Sequence, residues 1–334
     1  DVIGIQISNP LEFLIQWFAC NFLGLTSVLL NPKLNGEEHQ KYLDSTHLKT
    51  LITSRNSIHQ IINSNLEIIY IEDSPSISLC GNELIKFDLD ENDTTTIIFT
   101  SGTDGFPKPV ELTTTNFKSS FNSWNHEIQF ENDKIINFLP LHHIAGISAI
   151  FRGLLSRTPI YLMDKFHIED FMECCKKFNP TIVSLVPTVV YYLLKTEEGI
   201  NCLKSFRMIL VGGGPSNKNI LETCLKHGVN LFVTYGMTET SSGVSGFWLK
   251  NNPDKLDSVG KPFSGLTLIA NHKSEEFSQI CIMGEMVAKG YLGSEKFNHN
   301  FKSGDFGRID NDGFLYLQPL RKDRIVTGGE NVNP

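Results

Sequence analysis

Short apolar runs alternate with helix-patterned stretches along most of this chain, and that alternation narrows its fold class more than any other feature. "VIGIQI" opens the sequence, and "TSVLL", "KTLIT", "LEIIYI" and "TTIIFT" follow, with polar or amphipathic segments between them. Farther on come "KIINFL", "PIYLM", "TIVSLV", "RMILVGGG" and "NLFVTYG", separated by stretches such as "IEDFMECCKKF" and "SNKNILETCLKHG". Strands that take turns with helices predict parallel, doubly wound sheets. After about Gly246 the texture changes to short strands punctuated by Gly, Asp and Asn, and "DNDG" (Asp310–Gly313) has the composition of a hairpin turn. The expected fold class is therefore α/β, with doubly wound parallel-sheet subdomains and a smaller β-rich subdomain. The expected division is an α/β body over 1–246, a β-rich part over 247–320, and the start of a hinge over 321–334. Both ends fall abruptly within patterned sequence, so the chain is expected to be a piece of something longer.

The chain has 334 residues, 40% hydrophobic and 20% charged, enough for more than one core. Its net charge of −8 leaves no diffuse basic surface for nucleic acid or anionic lipid, so a polyanionic ligand needs a local site. The most apolar segment, "FLIQWFACNFLGLTSVLLN", is interrupted by Gln16, Asn21, Thr26 and Ser27 and split at Gly24. A core helix ending near Gly24 and then a strand explain it better than a membrane span, so no membrane insertion is expected. Seven cysteines at irregular spacing, with no CxxC, read as reduced thiols in a reducing compartment. Nothing in the sequence speaks to oligomeric state.

Chemistry concentrates first in "TTTIIFTSGTDGFPKPVELTTTNF" (Thr94–Phe117). It is not a P-loop: Pro107-Lys108-Pro109 stands where Gly-Lys-[Ser/Thr] is required, removing a backbone donor and the hydroxyl that would meet Mg²⁺. Its donors still suit phosphate. Thr100, Ser101 and Thr103 carry hydroxyls, Gly102 and Gly105 permit close backbone approach, and Lys108 brings a positive charge. On composition alone, a phosphate cradle and a polar surface turn are equally consistent.

The order of segments separates them. T-S-G-T-x-G-x-P-K after an apolar strand resembles the signature loop of the adenylate-forming superfamily. "LPLHHIAG", "LVGGGP", "YGMTET", "KSGDFGRIDNDGFLYL" and "RKDRIVTGGENV" resemble that family's later segments in the same order. The resemblance implies an acid–CoA ligase that uses ATP, Mg²⁺ and coenzyme A, forming an acyl-adenylate and then a thioester. It implies an α-phosphate contact for Thr238, a Mg²⁺ contact for Glu239, a ribose contact for Asp305 and a nucleotide-binding place for Tyr235. Gly212, Gly213 and Gly214 would line the adenine and acyl pocket, and His143 would orient the substrate carboxylate. Read without the resemblance, Thr238-Glu239 is equally a helix cap, Asp305 a turn residue and His143 a satisfied buried histidine.

Among the family's branches, the o-succinylbenzoate–CoA ligases of menaquinone and phylloquinone biosynthesis have segments most similar to "LPLHHIAGISAIFRGLL", "MDKF" and "GGENVNP". Their substrate has two carboxylates, and Arg152 is either the charge that holds the second one or a solvated helix arginine. Another acyl-CoA synthetase or a carrier-loading adenylation domain is the alternative enzyme. Three departures from the family pattern stand out, and two of them, at Asp104 and Leu320, together with the absence from this sequence of the family's C-terminal catalytic lysine, motivate a degenerate, non-catalytic nucleotide-binding homologue as the rival of another class. Asp104 stands where Thr is usual, Pro109 where Gly is usual, and Leu320 where an arginine is usual, with Arg321 beside it as a substitute.

Overall fold

The computed structural model describes residues 1–318 except 35, 58–65, 74–89, 101–106, 215–216 and 271–275, together with the backbone of 325–327 and 330–332. Ser101, Gly102, Thr103, Asp104 and Gly105 of the glycine loop lie outside the described residues, as do Leu320 and Arg321.

A first sheet has the order Gly290–Tyr291, Lys108–Thr113, Thr94–Thr100, Thr26–Leu29, Val2–Gln6, Thr50–Thr53, Glu67–Tyr70. Its last five strands in that order are parallel, and the two at the other edge run antiparallel. The apolar segment that raised the membrane question forms helix Pro10–Phe22 and strand Thr26–Leu29. The helix starts because the Asn9 side chain accepts from the Leu11 and Glu12 amides with Pro10 in the first turn, and Gly24 at φ +72° turns the chain out of it. It buries Phe13, Leu14, Trp17 and Cys20 on one face, against the sheet. No helix among the described residues is long and apolar enough to cross a membrane.

A second sheet runs Lys261–Pro262, Ser242–Trp248, Leu231–Met237, Met208–Val211, Ile182–Leu185, Ile135–Asn137, Ile160–Leu162, with the last five parallel. Strand Met208–Val211 is buried at every residue, as a parallel strand covered on both faces must be. Helices Ile168–Phe178, Glu197–Ser205 and Lys218–His227 bring Phe171, Leu203 and Leu221 into its core. The third sheet is antiparallel: Thr267–Ile269, Ser278–Met283, Asn300–Ile309, Leu315–Leu317. Its last turn is the expected hairpin, in which the Asp310 carboxylate accepts from the Asp312 and Phe314 amides and Gly313 takes φ +84°. Two short strands from the late, β-rich stretch leave it: Lys261–Pro262 completes the second sheet and Gly290–Tyr291 the first. The second of these pairings is invisible in a local pattern because its partner strand lies far away in sequence.

Helix Thr114–Ile128 joins all three sheets. It opens on a capping box in which Thr113 and Asn116 exchange side-chain-to-backbone bonds. Its buried face is polar. Asn116 Nδ2 donates to the carbonyls of Glu285 (2.7 Å) and Val287 (2.9 Å), Ser120 donates to the Ser241 carbonyl (3.0 Å), and Ser123 donates to the Ser264 carbonyl (2.8 Å). Asn116→Ala is expected to cost about 3 kcal/mol, because it removes one half of the capping box and leaves two carbonyls without their donor. Asn116→Asp, which retains the acceptor, is expected to recover the capping part only; urea unfolding of the three proteins measures both.

Candidate active site

The three sheets meet around a cleft of about 1610 Å³. It opens at the carboxyl ends of strands Ile182–Leu185, Met208–Val211 and Leu231–Met237, where doubly wound sheets place ligands. Each sheet contributes charge to it. Lys108 comes from the first, Glu239 from the turn after a strand of the second, and Asp305 from the third.

Lys108 is the first residue of its strand and pairs with Thr100, so the glycine-rich segment of the sequence lies between two paired residues. The Lys108 ammonium stands 5.6 Å from the centre of the Tyr291 ring. Glu239 lies in the 3-10 turn Thr238–Thr240 that follows strand Leu231–Met237. The capping that sequence allowed for Thr238 and Glu239 is done by Thr240, whose hydroxyl accepts from the Met237 amide and donates to the Met237 and Ser242 carbonyls. The Glu239 carboxylate instead lines the cleft, with only 8% of the residue exposed, and accepts a hydrogen bond from the Tyr291 hydroxyl at 2.8 Å. Burial raises its pKa. The Tyr291 hydrogen bond and the nearby Lys108 charge pull the other way, and Asp305 adds to the rise.

Asp305 sits in strand Asn300–Ile309 and accepts from the Tyr235 hydroxyl at 2.7 Å. Tyr235 is held well above the ordinary tyrosine range by burial and then by this carboxylate, so it remains a donor at any physiological pH. Gly212, Gly213 and Gly214 follow strand Met208–Val211 along the wall of the cleft. A Cβ on Gly212 would stand 3.0 Å from the Thr234 carbonyl, and Gly213 has φ +75°, so backbone rather than side chain faces the cavity there.

The histidine pair precedes helix Ile144–Ser156, with ring centres 4.3 Å apart, and both rings line the cleft. His142 stays neutral, its pKa pushed down to about 3 by burial, with His143 and Lys33 adding to the effect. Gly146 lets this helix start where it does, since a Cβ would meet the Pro140 carbonyl at 2.2 Å. Two turns in, Arg152 is 5% exposed, which removes the solvated-arginine alternative. Its Nη1 reaches the Ser148 hydroxyl at 3.3 Å and the Ser242 hydroxyl at 3.4 Å, and its guanidinium lies 5.1 Å from the centre of the Trp124 ring. No carboxylate among the described residues pairs with it, and burial lowers its pKa to about 10. Among the described residues it is a charge placed beside a cavity without a countercharge. Trp124, Ser242 and Tyr291 line the cleft and were not legible in the sequence. Each reaches the site through a partner remote in the chain.

Among the described residues no three His, Cys, Asp or Glu side chains converge on one point. A single cleft carboxylate can hold a metal that brings most of its own ligands. Mg²⁺ fits that description, since it is commonly held by one or two carboxylates plus substrate phosphates. The buried Glu239 carboxylate could serve as such a ligand, and a cation beside it would offset the cost of its burial.

Residues 1–292 match the family described as AMP-binding enzyme. The whole chain is 34% identical to the 2-succinylbenzoate–CoA ligase of Oceanobacillus iheyensis, covering 72% of that protein. It is 32% identical to the 2-succinylbenzoate–CoA ligase of Bacillus subtilis, covering 71%. The solved structure of o-succinylbenzoate coenzyme A synthetase from Bacillus subtilis with ATP and magnesium ion superposes with a TM-score of 0.88 at 31% identity, over 100% of this chain and 72% of that one. A double mutant of the same synthetase, bound with a product analogue, superposes at 0.91 and 31%, over 100% and 71%.

The burial of Glu239 has a measurable consequence in the ligand-free protein. A carboxyl whose pKa rises on folding binds more protons folded than unfolded between its ordinary value, 4.5, and the raised one. Stability therefore falls as pH climbs through that window and stays reduced above it. Glu239→Gln removes the cost. Its melting temperature is expected to exceed that of the wild type at about pH 7.5, with the gap narrowing as pH falls towards 4.5 and closed by about pH 3, below the ordinary glutamate range. A gap independent of pH, read by scanning fluorimetry, would show that the charge of Glu239 carries no such cost.

Proposed function

The chain belongs to the AMP-binding enzyme family, and on that premise we propose that it is an acid–CoA ligase that converts o-succinylbenzoate to its CoA thioester. In the first half-reaction a carboxylate oxygen of the acid attacks the α-phosphorus of ATP. The new P–O bond forms as the bond to pyrophosphate breaks, giving the acyl-adenylate. In the second, the thiol sulfur of coenzyme A attacks the acyl carbon, AMP leaves with the C–O bond electrons, and the thiol proton is released. Neither step needs a protein nucleophile. Both need charge neutralisation and alignment.

The residues divide that work. Lys108 and Thr100, with the loop between them, would hold the β- and γ-phosphates. Thr238 would hold the α-phosphate. Glu239 would hold Mg²⁺, whose chemistry there is to neutralise triphosphate charge and make pyrophosphate a better leaving group. Asp305, steadied by Tyr235, would accept from the ribose hydroxyls. Gly212, Gly213 and Gly214 would present bare backbone to the adenine and the acyl ring. His143 would orient the reacting carboxylate, and Arg152 would pair with the second one. In this reading the body over 1–246 carries the phosphate and acyl walls, and the part from 247 supplies the ribose contact. The proposed setting is the cytoplasm, where ATP and coenzyme A are supplied.

Arg152 is the observation that carries the choice of acid. A buried guanidinium with hydroxyl and aromatic neighbours, on the wall of the cleft that holds Lys108 and Glu239, supports an anionic group at the far end of the substrate. Pyrophosphate release is the test. It is expected with o-succinylbenzoate, and not with benzoate or fatty acids. Equal release with a monoacid would overturn the assignment. Arg152→Met, which roughly keeps the volume, is expected to raise KM for the diacid by about 30-fold or more while KM for ATP stays within about twofold. Parallel rises in both constants would remove Arg152 from the acid pocket.

A further inference from the structure

Tyr291 belongs to the first sheet and touches the second. It lies on the two-residue strand Gly290–Tyr291, in antiparallel register with the strand that begins at Lys108, with Tyr291 opposite Val110. The backbone on either side is bonded to the same strand: the Lys289 amide donates to the Glu111 carbonyl (3.0 Å) and the Leu292 amide to the Pro109 carbonyl (2.9 Å). From this frame the phenol reaches across the cleft to Glu239 Oε1 at 2.8 Å. Three residues earlier, the Ala288 amide donates to the Glu239 carbonyl at 2.8 Å. The face of the same ring lies under the Lys108 ammonium, and its edge packs on Phe297, at 88° between planes.

We propose that Tyr291 is a positioning residue for ATP and its magnesium ion, holding the Glu239 carboxylate in one orientation through its hydroxyl and the Lys108 ammonium through its ring. The proposal rests on the reading of Glu239 as the magnesium carboxylate. A glutamate has three side-chain torsions, and a single donor on one oxygen selects one arrangement of them while leaving the other oxygen for the metal. Because the donor is bonded through its backbone to the Lys108 strand, the two charges that would meet the triphosphate keep their separation even though they come from different sheets. Within the frame that the packed layers set, one side chain thus touches both Lys108 and Glu239, a link that no local motif around either residue encodes.

The test is ATP binding without any acid present, measured by calorimetry with saturating Mg²⁺ and again with chelator. Tyr291→Phe keeps the ring and loses the hydroxyl. It is expected to weaken MgATP binding about 10-fold, the usual scale for the loss of an outer-shell partner, and to leave metal-free ATP binding and the melting temperature near wild type. In a Glu239→Gln background the same change is expected to add nothing, since it acts through that carboxylate. Tyr291→Leu, which also removes the face under Lys108, is expected to weaken metal-free ATP about threefold in addition. Equal weakening by Tyr291→Phe with and without metal overturns the positioning role, as does its full effect persisting beside Glu239→Gln. Unchanged metal-free binding in Tyr291→Leu overturns the ring's part. A wild-type protein that binds ATP equally well with and without Mg²⁺ overturns the magnesium reading of Glu239 and the proposal with it, and is distinguishable because it appears before any substitution is made.

Discussion

The polar underside of helix Thr114–Ile128 is the contact on which the site's geometry depends. A helix between sheets ordinarily buries an apolar stripe. This one buries Phe117 and Trp124 but also Asn116, Ser120 and Ser123, and these three reach carbonyls of segments that lead into or out of the other two sheets. Hydrogen bonds of this kind have direction, whereas apolar contact does not, so they set the angles between layers as well as holding them together. The cleft is the space those angles leave. Because Lys108, Glu239 and Asp305 come from three different sheets, a small change in layer angle would move all of them relative to one another.

The electrostatics of the cleft run against those of the molecule. The chain is net acidic by eight charges, and Glu239 and Asp305 are among the carboxylates that line the cavity. Each is held by a tyrosine hydroxyl, Glu239 by Tyr291 and Asp305 by Tyr235. A neutral donor fixes a carboxylate without cancelling its charge, which keeps Glu239 competent for a cation and Asp305 competent to accept from hydroxyls. The cations are handled in the same spirit. Lys108 has the face of Tyr291 near it, and Arg152 the ring of Trp124 and two hydroxyls. Among the described residues no carboxylate pairs with Arg152, so an aromatic face and two hydroxyls stand where a salt bridge would.

Some residues of the site were readable because their role depends on neighbours in the chain. Gly212, Gly213 and Gly214 mark a strand end where backbone must be bare, and Thr238-Glu239 follows a strand at its carboxyl end; both are local facts with local signatures. Arg152 could be picked out, but not its burial, because whether a helix arginine meets water or Trp124 depends on what packs over it. The same limit hid the true cap of the 3-10 turn, Thr240, since Thr238, Glu239 and Thr240 are all acceptable there by residue type. Tyr291 carried no signal at all, in a stretch whose texture suggested only another short strand of the β-rich part.

Periodicity and turn residues were therefore enough to specify strands, helices and the α/β class, because the free energy behind them is local: burying one face of a strand or helix, capping its end, turning at Gly or Asn. The ordered segments were enough to specify the family. Which strand lies beside which was left to folding. Gly290–Tyr291 joins a sheet whose neighbouring strand is some 180 residues earlier in the chain, and Asn116 Nδ2 bonds a carbonyl 171 positions away. Contacts of that range are chosen by the fit of whole layers, a property that no window of sequence contains, and the distance between Lys108 and Glu239 is set there.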